Sequence, residues 1–300
     1  MRLDLEQIKR ITVGAVRIRE DADGFHFSKL SERQEAVFCS LSENFKNGAR
    51  ATTGIRLEFY TDSSLVKYAT LKNGVCQEEV LTFPSSSGEK RENKICILLS
   101  FHAYTSVSYI ELSEGAYIRP LDYKQKMLFF GDSITQGWHS SRDEYSFAYL
   151  TSLHFSANSI IQGVGGAYYH PSLAERLDFD PDTVIVAYGT NDASRAQSVD
   201  EVRTNCAEFL SRICTYYPNA AIRVITPIWR TDYDQLRPYG HVQLIGDCIR
   251  TEAERLNIPV IDGMKLLPRD PSFLADTVHP NDKGFERYAK ELIRALEGFI

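Results

Sequence analysis

The first 120 residues carry short runs in which hydrophobic and polar positions alternate. Ile55, Leu57 and Phe59, for example, are each followed by a polar or charged residue, which predicts a strand with one buried face. Asn73-Gly74 predicts a tight hairpin, because both residues tolerate positive φ. The predicted strands cover residues 11–18, 54–60, 65–71, 75–82, 95–101 and 106–112. Many short strands at this spacing predict an all-β sandwich over residues 1–120.

The pattern changes after residues 117–126, which predict a linker. From Met127 onward, apolar runs alternate with segments of helical periodicity. The predicted strands lie at 127–130, 159–161, 183–187, 222–226 and 258–261, and the clearest helices begin at the Ser198–Glu201 capping box, within 240–256 and near Phe285. This alternation predicts a parallel sheet with helices on both faces, in a second domain over residues 121–300. Ligands of such sheets bind at the carboxyl ends of the strands.

Length, charge and cysteine usage narrow the class of protein. A chain of 300 residues is long enough for two domains. The net charge of −6 and the absence of long basic runs argue against nucleic acid or an anionic membrane as a partner. The charged N-terminus has no signal-peptide core and no apolar run could span a bilayer, so we expect a cytoplasmic protein, or a secreted one if a leader was removed.

The six cysteines are expected to be small buried hydrophobic residues. Residues 84–88, Pro-Ser-Ser-Ser-Gly, predict a loop.

Four short segments hold residue types that catalysis uses, although each alone also fits an ordinary turn. Gly131–Ile134 places a serine at a strand-to-helix turn, which suits a nucleophile. Gly163–Gly166 lets backbone N–H groups approach a ligand, and Gly189–Asp192 offers an asparagine amide to a developing negative charge. In Asp276–His279 the acid can hold one ring nitrogen of the histidine and leave the other free as a base.

Taken together, GDSI, GVGG, GTND and DTVH resemble the four motif blocks of the SGNH hydrolases, also called GDSL-type esterases, and they occur in the same order. The resemblance covers about Met127 to Ile300. It implies an α/β domain of the flavodoxin-like, three-layer type built on a parallel sheet. The residues around Thr53–Leu57 and Tyr60–Ser63 resemble the jelly-roll-like sandwich that precedes some esterases of this family.

The resemblance implies a catalytic triad. Ser133 corresponds to the nucleophile, His279 to the general base and then general acid, and Asp276 to the residue that orients the imidazole. No metal or other cofactor is expected, because the chain has neither HExxH nor a His/Cys cluster with ligand spacing.

The resemblance also implies an oxyanion hole. Its donors would be the backbone N–H groups of Ser133 and Gly166 and the side-chain amide of Asn191. The second block departs from the family pattern, because Ile161 stands where an asparagine is usual. The two adjacent glycines leave Gly165 as a competing donor.

Candidate substrate-binding residues are less specific. Trp138, Tyr168, Trp229 and Arg230 all follow predicted strand ends or motif blocks, and the three aromatic rings among them could stack on a sugar. The alternative for each is that it packs a loop onto the sheet.

These observations predict a serine esterase that hydrolyses short-chain, mainly acetyl, O-acyl esters through an acyl-serine intermediate. The expected partner is a small-molecule or carbohydrate ester. A lipase or thioesterase for longer acyl chains and an acyltransferase with the same triad are the alternatives. A non-catalytic binding module would lack at least one catalytic residue, whereas this chain has all of them. The oligomeric state is left open.

Overall fold

The computed structural model describes residues 1–83 and 91–298, and in this part of the chain it contains two antiparallel sheets followed by one parallel sheet. The loop predicted at residues 84–88 lies outside the described residues. No helix in the described ranges has both the length and the apolar character needed to cross a bilayer.

The antiparallel sheets pack face to face around a shared hydrophobic core. Their strands are β1 (Thr12–Val13), β2 (Arg17–Asp21), β3 (Gly24–Ser28), β4 (Arg56–Thr61), β5 (Leu65–Lys72), β6 (Val75–Thr82), β7 (Asn93–Leu98), β8 (Thr105–Leu112) and β9 (Arg119–Pro120). One sheet has the order β2-β3-β8-β5-β6, and the other has the order β1-β4-β7 with β9 also paired to β4. The predicted β-sandwich is therefore confirmed, and both of its sheets are antiparallel.

The hairpin between β5 and β6 follows the prediction from Asn73-Gly74. Both residues have positive φ, 49° and 81°, and Lys72 pairs with Val75 across the turn. This backbone twist matches the twist of the two strands, which is why this dipeptide selects a tight hairpin.

Helices also occur among the N-terminal strands, which the strand pattern did not predict. They are α1 (Leu5–Ile11), α2 (Glu32–Leu41) and α3 (Phe45–Arg50). Both α1 and α2 begin with a capping box, Asp4 with Gln7 and Ser31 with Gln34. The polar-x-x-Gln spacing was the local signal for both. The strand predicted at 11–18 is instead split between the end of α1, β1 and the start of β2.

The C-terminal sheet consists of β10 (Gln125–Gly131), β11 (Ala157–Gly163), β12 (Thr183–Ala187), β13 (Ala221–Ile225) and β14 (Val260–Ile261). All neighbours are parallel and the order is β11-β10-β12-β13-β14. This is the strand order of flavodoxin-like sheets. The chain starts at β10, adds β11 on one side and then continues with β12 on the other side of β10. The predicted fold class is confirmed.

The remaining helices cover both faces of this sheet. They are α4 (Ser133–Gln136), α5 (Phe147–His154), α6 (Thr190–Arg195), α7 (Val199–Tyr216), α8 (Gln243–Arg255), α9 (Gly263–Leu266) and α10 (Asp282–Glu297), with 3₁₀ turns at Asp143–Tyr145, Pro171–Leu173 and Pro271–Phe273. Leu128 and Phe130 share a core with α7 and α8, whereas Met127 and Phe129 share the other core with α5 and α10. Alternate strand residues thus separate the two layers.

The N-terminal part contributes directly to one of these cores. Phe38 of α2, with Phe45 and Ala49 of α3, lies in the same hydrophobic cluster as β10 and α7. The two parts of the chain therefore share a packed interface and are not joined by a linker alone.

Two sequence expectations about burial were wrong. Of the six free cysteines, only Cys206 and Cys248 are buried as expected, and Cys76 and Cys96 are exposed. The β4 residues Arg56 and Glu58, predicted to face solvent, are 1% and 3% exposed.

Arg56 and Glu58 are buried because the outer face of β4 lies against the C-terminal part. Arg56 Nε donates to Glu58 at 2.6 Å, and its Nη2 donates to the carbonyl of Ala157 at 3.2 Å. Tyr123 donates its hydroxyl to the same Glu58 oxygen at 2.6 Å. A charge pair can occupy this interface because each charge has hydrogen-bond partners.

We predict that Arg56→Met lowers the free energy of unfolding by about 3 kcal/mol, because it leaves the buried Glu58 carboxylate without its main countercharge. Urea unfolding monitored by circular dichroism measures the change. Arg119→Met is the control, since Arg119 and Glu92 form a solvent-exposed pair, and such pairs contribute little to stability. Equal losses in the two variants would contradict the prediction, and the double variant Arg56→Met/Glu58→Leu should recover part of the loss.

Candidate active site

A tight turn presents Ser133 at the carboxyl end of β10. Gly131 ends the strand, Asp132 caps α4 by accepting the N–H of Ile134 at 2.9 Å, and Ser133 is the first helical residue. A Cβ on Gly131 would lie 2.0 Å from the Thr135 hydroxyl, so only glycine allows this approach.

The predicted triad residues lie in one hydrogen-bonded line. Ser133 Oγ is 2.8 Å from His279 Nε2, and His279 Nδ1 is 2.8 Å from Asp276 Oδ2. With the proton on Nδ1, Nε2 is free to accept the serine proton. Residues 146 positions apart are thus brought within the distance that general-base catalysis needs.

The backbone around Asp276 fixes its carboxylate. Its Oδ1 accepts the N–H groups of Val278 at 2.8 Å and His279 at 2.7 Å. Partial burial acts to raise the pKa of Asp276, but these N–H groups and the His279 ring outweigh it and lower the pKa to about 2. Asp276 is therefore ionised at neutral pH and can stabilise an imidazolium beside it.

The hydrogen bonds of the glycine segment distinguish its two candidate donors. The N–H of Gly165 donates to Gln136 Oε1 at 2.8 Å and is therefore occupied. The N–H of Gly166 has no acceptor among residues 1–83 and 91–298, and its φ of +82° turns the backbone there. Asn191 donates one amide hydrogen to the carbonyl of Ala167 at 3.0 Å, which ties the asparagine to this segment and leaves the second hydrogen.

Helix α3 supports the glycine segment from the N-terminal part. A Cβ on Gly166 would meet Phe45 at 3.0 Å, and a Cβ on Gly48 would lie 3.3 Å from Val164 and 3.4 Å from the Gly165 nitrogen. Residues before position 120 therefore pack directly against the glycine segment.

Two of the predicted substrate-binding residues lie beside the triad or the glycine segment. Trp138 stacks on His279 with ring centroids 6.0 Å apart and is 42% exposed. Tyr168 lies 6.3 Å from the ring of Phe45, and the Arg195 guanidinium lies 3.5 Å above it. Trp138 is partly open to solvent, whereas the face of Tyr168 under Arg195 is covered.

The other two predicted substrate-binding residues are used mainly inside the protein. Trp229 is half-buried and packs against the core formed by α5 and α10. Arg230 is 5% exposed, pairs with Asp232, and donates to the Thr190 carbonyl at 3.1 Å and to Ser194 at 2.9 Å. Arg230 therefore holds α6, the helix that carries Asn191, and its guanidinium is not open to a substrate.

The structure adds His139, which the motif analysis did not select. His139 Nε2 lies 3.4 Å from Asp276 Oδ2, and its ring centroid is 5.1 Å from that of His279. One donor atom from each of His139, Asp276 and His279 lies within 4.8 Å of the other two. Only the position of His139 directly after Trp138 hinted at this contact, because sequence spacing does not show which side of a turn a ring faces.

A large cavity lies on the N-terminal part near the site. Its volume is about 1270 Å³ and its walls come from β2, β3, α2, α3 and the segment around His102. The His102 ring meets Trp138 edge-on at a centroid distance of 6.5 Å. Charged and hydrogen-bonding groups form much of the wall, including Arg19, His26, Glu35 and Tyr104.

Comparison with known families agrees with this geometry. The sequence profile of the GDSL-like lipase/acylhydrolase family matches residues 129–287, more than half of the chain. The chain belongs to this family. The matched region contains Ser133, Asn191, Asp276 and His279, and membership makes the protein a carboxylic ester hydrolase.

Solved structures extend the likeness to the whole chain. A protein described as a GDSL-like lipase from Bacteroides ovatus is 20% identical with a TM-score of 0.74, covering 97% of this chain and 96% of its own. A salicylyl-acyltransferase from a tetracycline biosynthetic pathway is 16% identical with a TM-score of 0.78, covering 100% and 98%. An acetyl xylan esterase from Butyrivibrio proteoclasticus is 15% identical with a TM-score of 0.63, covering 99% and 98%. At these identities the similarity establishes the fold. Among curated proteins no match was found.

The buried cap residue Asp132 should make stability depend on pH. Burial raises the pKa of Asp132 to about 7, and its Oδ2 has no hydrogen-bond partner in the described part of the chain. An unfolded aspartate has a pKa of about 3.9. Between these values the folded state holds a proton that the unfolded state has released, so stability falls as pH rises.

We predict that Asp132→Asn makes stability less dependent on pH between pH 5 and pH 7. The slope of the free energy of unfolding should become smaller by up to about 1.4 kcal/mol per pH unit, while the amide oxygen still accepts the cap hydrogen bond. Urea unfolding at several pH values measures the slope. The exposed Asp180→Asn controls for the loss of one negative charge. An unchanged slope in Asp132→Asn would show that this carboxyl is ionised throughout the range. Asp192, whose pKa burial also raises to about 7, should leave a residual slope.

Proposed function

We propose that this chain hydrolyses short-chain O-acyl esters, chiefly acetyl esters of carbohydrates, with Ser133, His279 and Asp276 as the catalytic triad. The observation that carries the proposal is the hydrogen-bonded line from Asp276 through His279 to Ser133, with both contacts at 2.8 Å. A serine hydroxyl is a weak nucleophile without such a base.

The reaction proceeds in two halves. Ser133 Oγ attacks the ester carbonyl carbon while His279 Nε2 takes the hydroxyl proton, and the carbonyl electron pair moves to the oxygen. The C–O bond to the alcohol then breaks, and His279 returns the proton to the departing alcohol. Water attacks the acyl-serine by the same route, which releases the acid and restores Ser133. Ionised Asp276 lowers the energy of the imidazolium in both halves.

The negative charge on the carbonyl oxygen requires donors beside Ser133. We assign this role to the N–H of Ser133, the N–H of Gly166 and the second amide hydrogen of Asn191. Gly166 is preferred to Gly165 because the N–H of Gly165 already donates to Gln136. Fixed donors of this kind stabilise the transition state without reorganising during the reaction.

The surroundings of the site favour a polar alcohol and a short acyl group. The exposed ring of Trp138 offers a stacking face of the kind that sugars use. The adjoining cavity of about 1270 Å³ is lined by many charged and hydrogen-bonding groups, which suit hydroxyl groups better than a long acyl chain. We propose that residues 1–120 form a domain that provides this side of the cleft and residues 121–300 the catalytic domain.

We favour hydrolysis over acyl transfer because solvent lies at the edge of the triad. The side chains of Asp276 and Trp138 are 39% and 42% exposed, whereas Ser133 itself is 6% exposed. A transferase has to keep water away from its acyl-serine. Because the chain shares its fold with an acyltransferase, an experiment has to distinguish hydrolysis from acyl transfer.

Ser133→Ala should lower the hydrolysis of p-nitrophenyl acetate by about 10⁴-fold or more, because the nucleophile is lost. We expect wild-type protein to cleave the acetate faster than the butyrate and the butyrate faster than the octanoate. Release of p-nitrophenol measures all three. Ser211→Ala, at an exposed position of α7, is the matched control and should behave as wild type. Inactive wild-type protein would refute the esterase proposal, and a preference for octanoate would refute the short acyl group.

Asn191→Ala should lower kcat by about 100-fold with little change in KM, because the amide acts mainly on the transition state. Steady-state kinetics on the acetate ester separate the two parameters. Asn191→Asp tests the donor specifically, since a carboxylate has nearly the same shape but cannot donate, and Gln197→Ala is an exposed amide control. A change confined to KM would contradict the assigned role.

A separate assay tests the alcohol part of the substrate and the group that accepts the acyl chain. Peracetylated sugars and acetylated xylan should release acetate at least as readily as p-nitrophenyl acetate when compared by kcat/KM. Acetate release with and without a competing sugar alcohol distinguishes hydrolysis from transfer. An acetylated sugar product in place of free acetate would favour the transferase.

A further inference from the structure

Two histidines share one carboxylate at the triad. Asp276 Oδ2 is 2.8 Å from His279 Nδ1 and 3.4 Å from His139 Nε2. His279 needs Asp276 for the proposed mechanism, whereas no step of that mechanism uses His139. The cluster therefore has one more nitrogen donor than acyl transfer requires.

The spacing of these atoms suits a tetrahedral metal ion. Zinc binds imidazole nitrogen and carboxylate oxygen at about 2.0–2.2 Å, which separates neighbouring ligand atoms by about 3.3 Å. The contacts of 2.8 and 3.4 Å lie on either side of that value, and all three donor atoms lie within 4.8 Å of one another. Small side-chain movements would bring all three donor atoms to coordination distance from one ion.

The site is also accessible to an ion. The His139 side chain is 46% exposed and that of Asp276 is 39% exposed. Two imidazoles and one carboxylate select a borderline ion such as Zn²⁺ over Mg²⁺ or Ca²⁺, which prefer oxygen ligands. A water molecule can take the fourth position.

We propose that His139, Asp276 and His279 form an inhibitory binding site for Zn²⁺ and similar divalent transition-metal ions. The inhibition rests on the proposed triad, whereas the binding does not.

The chemistry of the His279 ring gives the cause of inhibition. A metal bound to Nδ1 uses the lone pair of that nitrogen, so the ring proton must reside on Nε2. Nε2 then donates towards Ser133 Oγ and cannot accept its proton. The metal also takes the Asp276 oxygen that would stabilise the imidazolium. Only coordinate bonds form, no group is oxidised or reduced, and a chelator reverses the change.

The backbone at His139 supplies a suitable test variant. Its φ is +69°, a region in which asparagine is better tolerated than most residues. His139→Asn therefore removes the imidazole with little backbone strain. His154→Asn is the matched control, because His154 is similarly exposed and lies 3.1 Å from a single carboxylate, Glu297.

The first measurement is esterase activity against free Zn²⁺ in a metal buffer. Wild-type protein should lose activity with rising Zn²⁺ and regain it with EDTA, and Mg²⁺ should have no effect. His139→Asn should keep its activity without metal and need at least about tenfold more Zn²⁺ for half-inhibition, the usual scale for loss of one metal-site interaction. His154→Asn should match wild type. Equal zinc sensitivity in wild type and His139→Asn would overturn the proposal.

The second measurement is independent of catalysis. Ser133→Ala retains all three ligands, so it should bind one Zn²⁺ in titration calorimetry, and Ser133→Ala/His139→Asn should bind at least about tenfold more weakly. Absent or unchanged binding would overturn the metal site even if the protein is an active esterase. Conversely, zinc binding by a protein without esterase activity would refute the proposed function and leave the metal site standing.

Discussion

The pairing of β10 with both β11 and β12 is the constraint on which the site depends. Gly131 at the end of β10 is in register with Gly163 and with Ala187, so three chain segments leave the sheet at the same level. Ser133, the glycine segment and Asn191 follow directly. Parallel strands share one carboxyl edge, and a motif that looks like a turn in isolation becomes part of a site when its neighbours end beside it.

The N-terminal part completes this arrangement. Helix α3 packs on the glycine segment through Phe45 and Gly48, and β4 faces the C-terminal part through the Arg56–Glu58 pair. Because these contacts are buried, a change in the sandwich can alter the geometry of the proposed oxyanion donors. The same part supplies the lining residues of the polar cavity, of which His102 contacts Trp138.

Electrostatics at the triad centre on Asp276. Two backbone N–H groups and the His279 ring keep this carboxylate ionised, which suits it to stabilise a cation that forms during the reaction. The same negative charge is available to a second histidine and, by our proposal, to a metal ion. In the proposed mechanism, the carboxylate that stabilises the imidazolium is therefore also the group through which a metal ion would inhibit the enzyme.

The sequence by itself determined the alternation of strands and helices after Met127, the hairpin at Asn73-Gly74 and the family motifs, because periodicity, turn preference and motif spacing are local properties. Tertiary structure decided the burial of Arg56, the internal role of Arg230 and the approach of His139 to Asp276. Each of these depends on a surface supplied by a distant segment, and local pattern does not record which surface will cover a residue. The same reason explains why our assignment of Gly166 in preference to Gly165 depends on Gln136, which accepts the N–H of Gly165.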